Sequence, residues 1–246
     1  MPEDNIYIYG RKPVEEALQS RPEKIEKIFV KDSLYSSFHK IKELASFNRI
    51  PVVKVPHQKL FDLVGKVNDQ GIVALFSVIE YLDFFDWVVE VDLETKPCLF
   101  LLDGTEDPHN FGAILRTAAA AGIDGIIVPK HGQAPVNATV HKTSAGTAGR
   151  IPIIRVNNIS QALTDLKSAG FWITALEADG EHTIWSMDYN RPLVFVIGNE
   201  GKGISAPTLK KCDITLSIPM TNQVESLNAS VSAALIAYEW KRNKLS

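Results

Sequence analysis

The chain of 246 residues has little cysteine and no long apolar run. Its two cysteines, Cys98 and Cys212, make neither a disulfide framework nor a zinc site. Its longest apolar stretches are about six residues, whereas a membrane-spanning helix needs roughly 20. The N-terminus also lacks the basic and apolar regions of a signal peptide. These absences predict a cytoplasmic protein without a membrane segment.

Several catalytic motifs are missing from the sequence. Without H-E-x-x-H or C-x-x-C, a structural or catalytic zinc is not expected, and we predict no metal. Without G-x-S-x-G, the chain does not match an α/β-hydrolase. Without a Walker motif, nucleotide hydrolysis is not expected either.

The chain also lacks a strong charge excess, since 26 basic and 29 acidic residues give a net charge of -3. A mildly acidic balance argues at first sight against a nucleic-acid partner. However, residues 81–96 alone carry five acids and one lysine, more than the whole negative excess. That segment is either a solvated face or an amphipathic turn of helix that docks through its aromatic residues.

The order of apolar segments predicts two α/β domains. Residues 1–80 alternate strand-like and helix-like segments, which indicates a small α/β domain. Residues 81–96 form an acidic connector, and the pattern restarts with the apolar run at 98–103. Continuous apolar strands separated by helices predict a mostly parallel sheet over 97–246. The last predicted helix spans 226–244.

Three unusual segments follow predicted strand ends, where open α/β sheets bind ligands. They are DGTEDPHNFGAILRTAAAAG (103–122), IGNEGKGIS (197–205) and IPMTNQVESLNASVSAAL (218–235). In the first, Asp107 or Asn110 caps a helix, and Arg116 is either a surface cation or a phosphate ligand. The glycines of the second form a tight turn or let a backbone approach a ligand closely. In the third, the segment from Met220 to Val224 is long enough to wrap a ligand.

The three segments, in this order and spacing, resemble the SpoU (TrmH) branch of the SPOUT RNA methyltransferases. The resemblance covers essentially the whole chain, because IYGRKPVEEAL and NDQGIVALFSV are similar to the N-terminal substrate-binding domain of its rRNA guanosine enzymes. It implies an α/β fold with a C-terminal trefoil-knotted methyltransferase domain and a mostly parallel sheet, plus a small N-terminal α/β substrate-binding domain. It further implies that the protein is a homodimer and uses S-adenosyl-L-methionine.

The resemblance also assigns roles to residues of this sequence. The matching catalytic positions are Arg116, Asn110, Glu200, Ser226 and Asn228. The positions matching a cofactor site are Gly198, Ile218, Leu227, Leu176, Asn199 and Gly203. Because a guanidinium keeps its proton in proteins, we expect Arg116 to clamp a phosphate and stabilise a developing alkoxide.

The expected reaction is methylation of a ribose 2′-hydroxyl in RNA, most consistent with a guanosine of large-subunit (23S) rRNA. A tRNA ribose methyltransferase and a non-catalytic RNA-binding ribosome-assembly protein are the alternatives. Expected RNA-binding cations are Arg11, Lys12, Lys142 and Arg150. Since the domains are nearly neutral, we expect specificity to come from RNA shape and an unpaired target nucleotide.

Overall fold

A computed structural model describes residues 6–76, 81–145, 147–221 and 226–245. The chain divides into two compact units. The N-terminal unit comprises the chain up to Glu80 together with Pro135–Ala138, and the C-terminal unit comprises Tyr81–Ala134 and the chain from Thr139 onward. None of the helices in these ranges is long and apolar enough to cross a membrane.

The N-terminal unit is a small four-stranded α/β unit, as the sequence predicts. Its elements are β1 (Ile6–Tyr9), α1 (Arg11–Ser20), β2 (Ile25–Lys31), α2 (His39–Phe47), β3 (Val52–Val55), α3 (His57–Val64) and β4 (Ile72–Phe76). The strand order is β1-β4-β2-β3, in which β4 runs antiparallel to both neighbours and β2 runs parallel to β3. One sheet face packs on α1 and α2, and the other packs on α3 around Val55 and Val73.

The turn before β4 explains the NDQG stretch of the sequence. Asp69 is buried, and its Oδ1 accepts a hydrogen bond from the Gly71 N–H at 2.6 Å. Gln70, which has a positive φ of 53°, accepts the Arg11 N–H through its Oε1 at 2.9 Å. The turn therefore satisfies a backbone donor at the start of α1, which has no side-chain cap of its own.

The C-terminal unit is built on a parallel sheet. Its strands are β5 (Leu82–Asp83), β6 (Cys98–Asp103), β7 (Gly125–Pro129), β8 (Ile153–Val156), β9 (Trp172–Leu176), β10 (His182–Thr183), β11 (Leu193–Gly198) and β12 (Ile214–Ser217). Its helices are α4 (Phe84–Glu90), α5 (Pro108–Ala121), α6 (Ala138–Thr143), α7 (Ile159–Ala169), α8 (Ala206–Leu209) and α9 (Ala229–Lys244). The order is β10-β12-β9-β11-β6-β7-β8-β5, and every recorded pairing is parallel.

Helices cover both faces of this sheet, which is why its central strands are continuously apolar. Leu99 and Leu101 of β6 face the cluster that includes α7 and residues of α4. Phe100 points to the opposite face and meets Phe195 of β11 edge-on, with the ring centres 6.3 Å apart. On that side α5 and α9 lie together, and Lys241 donates to the Ala120 carbonyl at 3.0 Å.

The acidic segment 81–96 is both a solvated face and a docked helix. Asp83 caps α4 by accepting the N–H groups of Phe85 and Asp86, and Phe84 is buried. Trp87 packs on the core cluster, whereas Val89 is exposed on the opposite side. Both alternatives left open by the sequence therefore describe one amphipathic helix within the C-terminal unit.

One predicted helix bound differs from the structure. The C-terminal helix begins at Ala229 and not at residue 226, because Asn228 is its N-cap and accepts the Ser230 N–H at 2.8 Å. Residues 77–78, at the end of the NDQGIVALFSV stretch, lie outside the described residues.

Candidate active site

A cavity of about 270 Å³ lies at the carboxyl ends of the strands of the C-terminal unit. The carboxyl ends of β9, β11 and β12 reach it, and the start of α9 closes one side. Its walls come from these residues: Leu176, Glu177, Ala178, Ile197, Gly198, Asn199, Glu200, Gly201, Gly203, Leu216, Ile218, Met220, Ser226, Leu227, Ala229 and Ser232. The cavity therefore occupies the edge where parallel sheets of this type bind ligands.

All six residues expected to bind the cofactor line this cavity: Leu176, Gly198, Asn199, Gly203, Ile218 and Leu227. Glu200 and Ser226, expected to be catalytic, line it as well. Residues 222–224 of the segment expected to wrap a ligand lie outside the described residues. The second and third unusual segments thus meet at one site.

Glycine is required where the chain leaves β11. A Cβ at Gly198 would lie 2.5 Å from the Gly203 carbonyl carbon and 2.7 Å from the Ile204 nitrogen, both of which are backbone atoms. The close approach is maintained by a pair of backbone hydrogen bonds between Asn199 and Gly203, at 3.0 and 2.9 Å. Gly203 has a φ of +67°, which disfavours other residues.

Asn199 is the residue that builds this turn and attaches it to the first segment. Its Oδ1 accepts the N–H groups of Gly201 and Lys202 at 2.9 and 3.2 Å. Its Nδ2 donates to the Gly104 carbonyl at 2.6 Å. The tight turn and the ligand-facing loop are therefore the same structure, which presents backbone atoms to the cavity.

A chain of side-chain hydrogen bonds joins the three segments. The Asn110 Nδ2 donates to Glu200 Oε1 at 2.9 Å, and the Asn228 Nδ2 donates to Asn110 Oδ1 at 2.9 Å. Asn228 Oδ1 in turn accepts from the N–H and the hydroxyl of Ser230. Because a carboxylate only accepts and a backbone N–H only donates, the two ends of the chain determine both amide orientations.

These hydrogen bonds are compatible with the caps at the N-termini of α5 and α9. Asp107 caps α5 by accepting the His109 N–H at 2.8 Å, which leaves the buried Asn110 side chain for Glu200 and Asn228. Asn228 caps α9 with its oxygen and contacts Asn110 with its nitrogen. Ser226 is exposed on the cavity wall, where its hydroxyl is available to a ligand.

Arg116 does not line the cavity of its own chain. It lies six positions after Asn110 on α5, about 120° further round the helix, and it is exposed. Within the described residues no hydrogen bond or ion pair engages its guanidinium. The structure therefore groups Asn110, Glu200, Asn228 and Ser226 and leaves Arg116 on the surface. The role expected for Arg116 stays a prediction.

The cations expected to bind RNA are all exposed. Arg11 and Lys12 begin α1 in the N-terminal unit, whereas Lys142 in α6 and Arg150 belong to the C-terminal unit. Arg11 is partly engaged, because its guanidinium donates to the Ser37 carbonyl at 3.3 Å and lies over the Phe38 ring. The assignment of these four residues to RNA stays a prediction.

Glu177 is a cavity residue that the sequence interpretation missed. It directly follows β9 and lines the cavity together with the glycine turn. Partial burial raises the pKa of this carboxyl; the Ile204 N–H opposes the shift, and the nearby Asp179 adds to it. A single Glu forms no motif, but its place after a strand end was the signal that could have identified it.

The cavity lining fits S-adenosyl-L-methionine. Leu176, Ile218 and Leu227 supply apolar contact of the kind an adenine ring requires, and the open backbone at Gly198 allows a close approach. The charged side chains among the lining residues are the carboxylates Glu177 and Glu200. Acidic walls suit a cofactor that carries a positive sulfonium and a positive ammonium group.

Comparison with known proteins agrees with this fold. The model of the SpoU rRNA methylase family matches residues 97–238, and the model named RNA 2′-O ribose methyltransferase substrate binding matches residues 7–82. A Staphylococcus saprophyticus protein named as a TrmH family tRNA/rRNA methyltransferase is 40% identical over 243 residues, or 98% of this chain and 97% of that protein.

Two solved structures extend the comparison. A crystal structure described as an AdoMet-bound rRNA methyltransferase from Sinorhizobium meliloti covers 98% of this chain and 88% of its own, at 23% identity and a TM-score of 0.63. A TrmH/SpoU tRNA modifying enzyme of A. aeolicus covers 61% of this chain and 76% of its own, at 31% identity and a TM-score of 0.56. The first likeness shows a shared fold.

The parallel α/β fold with a cavity at its strand ends, taken with the family-model match and the Staphylococcus relative, defines a methyltransferase that acts on RNA. The chain belongs to the SpoU rRNA methylase family. The lining of its cavity fits S-adenosyl-L-methionine, the expected cofactor. The expected α/β fold class, a SpoU methyltransferase domain with a mostly parallel sheet plus a small N-terminal α/β substrate-binding domain, is confirmed.

Proposed function

We propose that the protein methylates the ribose 2′-hydroxyl of a guanosine in large-subunit rRNA, in the cytoplasm. The observation that carries this proposal is the match of residues 7–82 to a substrate-binding model for RNA 2′-O ribose methyltransferases. The neighbour described as an rRNA methyltransferase is similar along 98% of the chain. The tRNA enzyme of A. aeolicus is similar over 61% of it.

The site residues divide into those that hold the cofactor and those that act on RNA. The turn from Gly198 to Gly203 and the strand-end residues bind S-adenosyl-L-methionine, which supplies an electrophilic methyl group. Ser226, exposed on the cavity wall, orients the ribose hydroxyl. The bonded group of Asn110, Glu200 and Asn228 keeps the wall rigid, so that the oxygen approaches the methyl group in line.

Arg116 has a separate task in this proposal. Its guanidinium stays protonated, so it binds an RNA phosphate beside the target ribose and stabilises negative charge that develops on the hydroxyl oxygen. An exposed arginine without an internal partner among the described residues is ready for such a contact. Because Arg116 lies about 120° round α5 from Asn110, it contacts RNA and not the cofactor.

A homodimer is the second part of the proposal. Val231, Leu235 and Tyr238 form an exposed apolar stripe along α9, spaced by four and three residues, on the helix that packs against α5. We expect Leu235→Glu to convert a dimer into a monomer in analytical ultracentrifugation. Val89→Glu, at a more exposed apolar position on α4, is the control and should leave the dimer intact.

The decisive experiment compares 2′-O-methyl marks in total RNA from cells with and without the gene. We expect one guanosine of large-subunit rRNA to lose its mark and to regain it when the gene is restored. Loss of a tRNA mark would establish the tRNA alternative instead. No lost mark, combined with no calorimetric binding of S-adenosyl-L-methionine to the purified protein, would favour a non-catalytic RNA-binding ribosome-assembly protein.

A further inference from the structure

Two lysines converge on one tyrosine at the surface of the N-terminal unit. The Lys42 Nζ lies 4.5 Å from the centre of the Tyr35 ring, and the Lys54 Nζ lies 4.4 Å from the same point. The two ammonium nitrogens are therefore less than 9 Å apart. We call this group of Tyr35, Lys42 and Lys54 the lysine–tyrosine cluster.

The fold holds the cluster in a defined place. Tyr35 is half-buried and packs on the same core as Val52, on the sheet face covered by α1 and α2. Lys54 follows Val52 by two positions on β3, so its side chain leaves the sheet on the same face. Lys42 reaches the ring from α2, and β3 is the edge strand of the sheet. The cluster thus lies at one edge of the α2 face.

The charge of the cluster is not neutralised within the described residues. No carboxylate forms an ion pair with Lys42 or Lys54 there. Glu15 pairs with Lys40, and Glu43 lies 3.5 Å from His39. The negative face of the Tyr35 ring attracts both ammonium groups but cancels neither charge. Two close cations without an internal anion are suited to bind an external one.

Arg11, another aromatic-bound cation of this unit, uses its charged group differently. Its guanidinium is used internally, on the Ser37 carbonyl and the Phe38 ring. Lys42 and Lys54 have only the ring as a partner in the described part of the chain. Among these three cations, the lysine pair therefore keeps more donors for an external ligand.

We propose that the lysine–tyrosine cluster binds two phosphates of the RNA backbone and is the surface through which the N-terminal unit holds its substrate. This inference rests on the proposed function and names the face that serves it. Because the ring is occupied by ammonium groups, the cluster contacts phosphates and does not stack a base. Its contribution is therefore independent of RNA sequence and strongly dependent on salt.

The test is the salt dependence of RNA binding by the full-length protein. A fluorescein-labelled, mixed-sequence single-stranded RNA of about 20 nucleotides is titrated by anisotropy from about 0.1 to 1 M KCl. Each phosphate contact contributes a slope of about 0.7 in log K against log salt, so Lys42→Gln with Lys54→Gln should lower the slope by about 1.4. The double variant should bind about 25-fold more weakly at 0.1 M salt and equally well near 1 M.

Matched variants separate this assignment from a general charge effect. Lys59→Gln with Lys66→Gln removes the same charge from exposed lysines on and after α3, the helix on the opposite sheet face, and should leave the slope unchanged. Lys42→Arg with Lys54→Arg should retain it. An unchanged slope in the glutamine variant of the cluster, or an equal loss in the α3 control, overturns the proposal.

Two further outcomes distinguish the failures. If the cluster variant loses binding to poly-L-glutamate while its RNA slope is unchanged, the cluster serves an acidic protein and the proposal is wrong. If the wild-type protein methylates and binds RNA but the cluster variant does so equally well, the proposed function stands and only this surface is wrong. Calorimetric binding of S-adenosyl-L-methionine should be the same in all variants.

Discussion

Gly198→Ala tests the close packing on which the cofactor cavity depends. The added methyl group would lie 2.5 Å from the Gly203 carbonyl carbon and 2.7 Å from the Ile204 nitrogen. Backbone cannot move aside as a flexible side chain can, so the turn must open and lose the two hydrogen bonds between Asn199 and Gly203. Overpacking costs about 1–3 kcal/mol and each hydrogen bond about 1 kcal/mol, which gives a loss of roughly 3–5 kcal/mol.

The assay combines thermal unfolding with calorimetric titration of S-adenosyl-L-methionine. A loss of about 4 kcal/mol lowers the Tm of a domain of this size by roughly 8–16 °C, and the displaced turn should weaken cofactor binding at least about 100-fold. Gly201→Ala is the control in the same loop, because its Cβ would meet only Asn199 Oδ1, at 3.7 Å. We expect its Tm to remain near that of the wild type. A Gly198→Ala variant with wild-type Tm and cofactor affinity would refute the reasoning.

Three further variants probe the rest of the site. Arg116→Ala should abolish methyl transfer and leave calorimetric cofactor binding intact; a parallel loss of both would contradict its RNA role. Asn110→Asp places a carboxylate against Glu200 and should cost roughly 2–4 kcal/mol at pH 7 but less at pH 4, measured by urea unfolding at both pH values. The raised pKa of Glu177 means that its ionisation opposes folding as pH rises from the ordinary carboxyl pKa through the raised value. Glu177→Gln should therefore have a higher Tm than the wild type at pH 7 but not at pH 4. It should also bind the cationic cofactor roughly three- to tenfold more weakly. An equal Tm difference at both pH values would exclude this charge effect.

Strands were predictable from the sequence where they consist of a continuous apolar run. β6 has the bounds of the predicted apolar run 98–103, because it is buried on two faces and ends at a polar residue, Asp103. The strands β5 and β10 were not predicted, since two residues carry no periodicity and only a neighbouring strand makes them extended. The start of α9 was misplaced because Asn228 has a cap conformation that composition does not distinguish from helix.

The site was predictable as a set of segments but not as a set of bonds. The rule on strand ends, together with the family resemblance, identified all six expected cofactor residues as cavity residues. The bond from Asn110 to Glu200 spans 90 positions and was invisible to local patterns. Glu177 lacked a motif, and the exposed position of Arg116 follows from helical phase relative to Asn110, which motif spacing alone does not express.

The hydrogen-bonded chain from Glu200 through Asn110 to Asn228 has a consequence for how the enzyme forms. Its two inner bonds connect residues separated by 90 and 118 positions, so each closes a long loop before it stabilises anything. The wall that these bonds build therefore cannot assemble in a fragment that lacks α9, nor on a nascent chain from which α9 has not yet left the ribosome. Binding of a ligand in the cavity thus reports that α9 has been synthesised and has packed against α5.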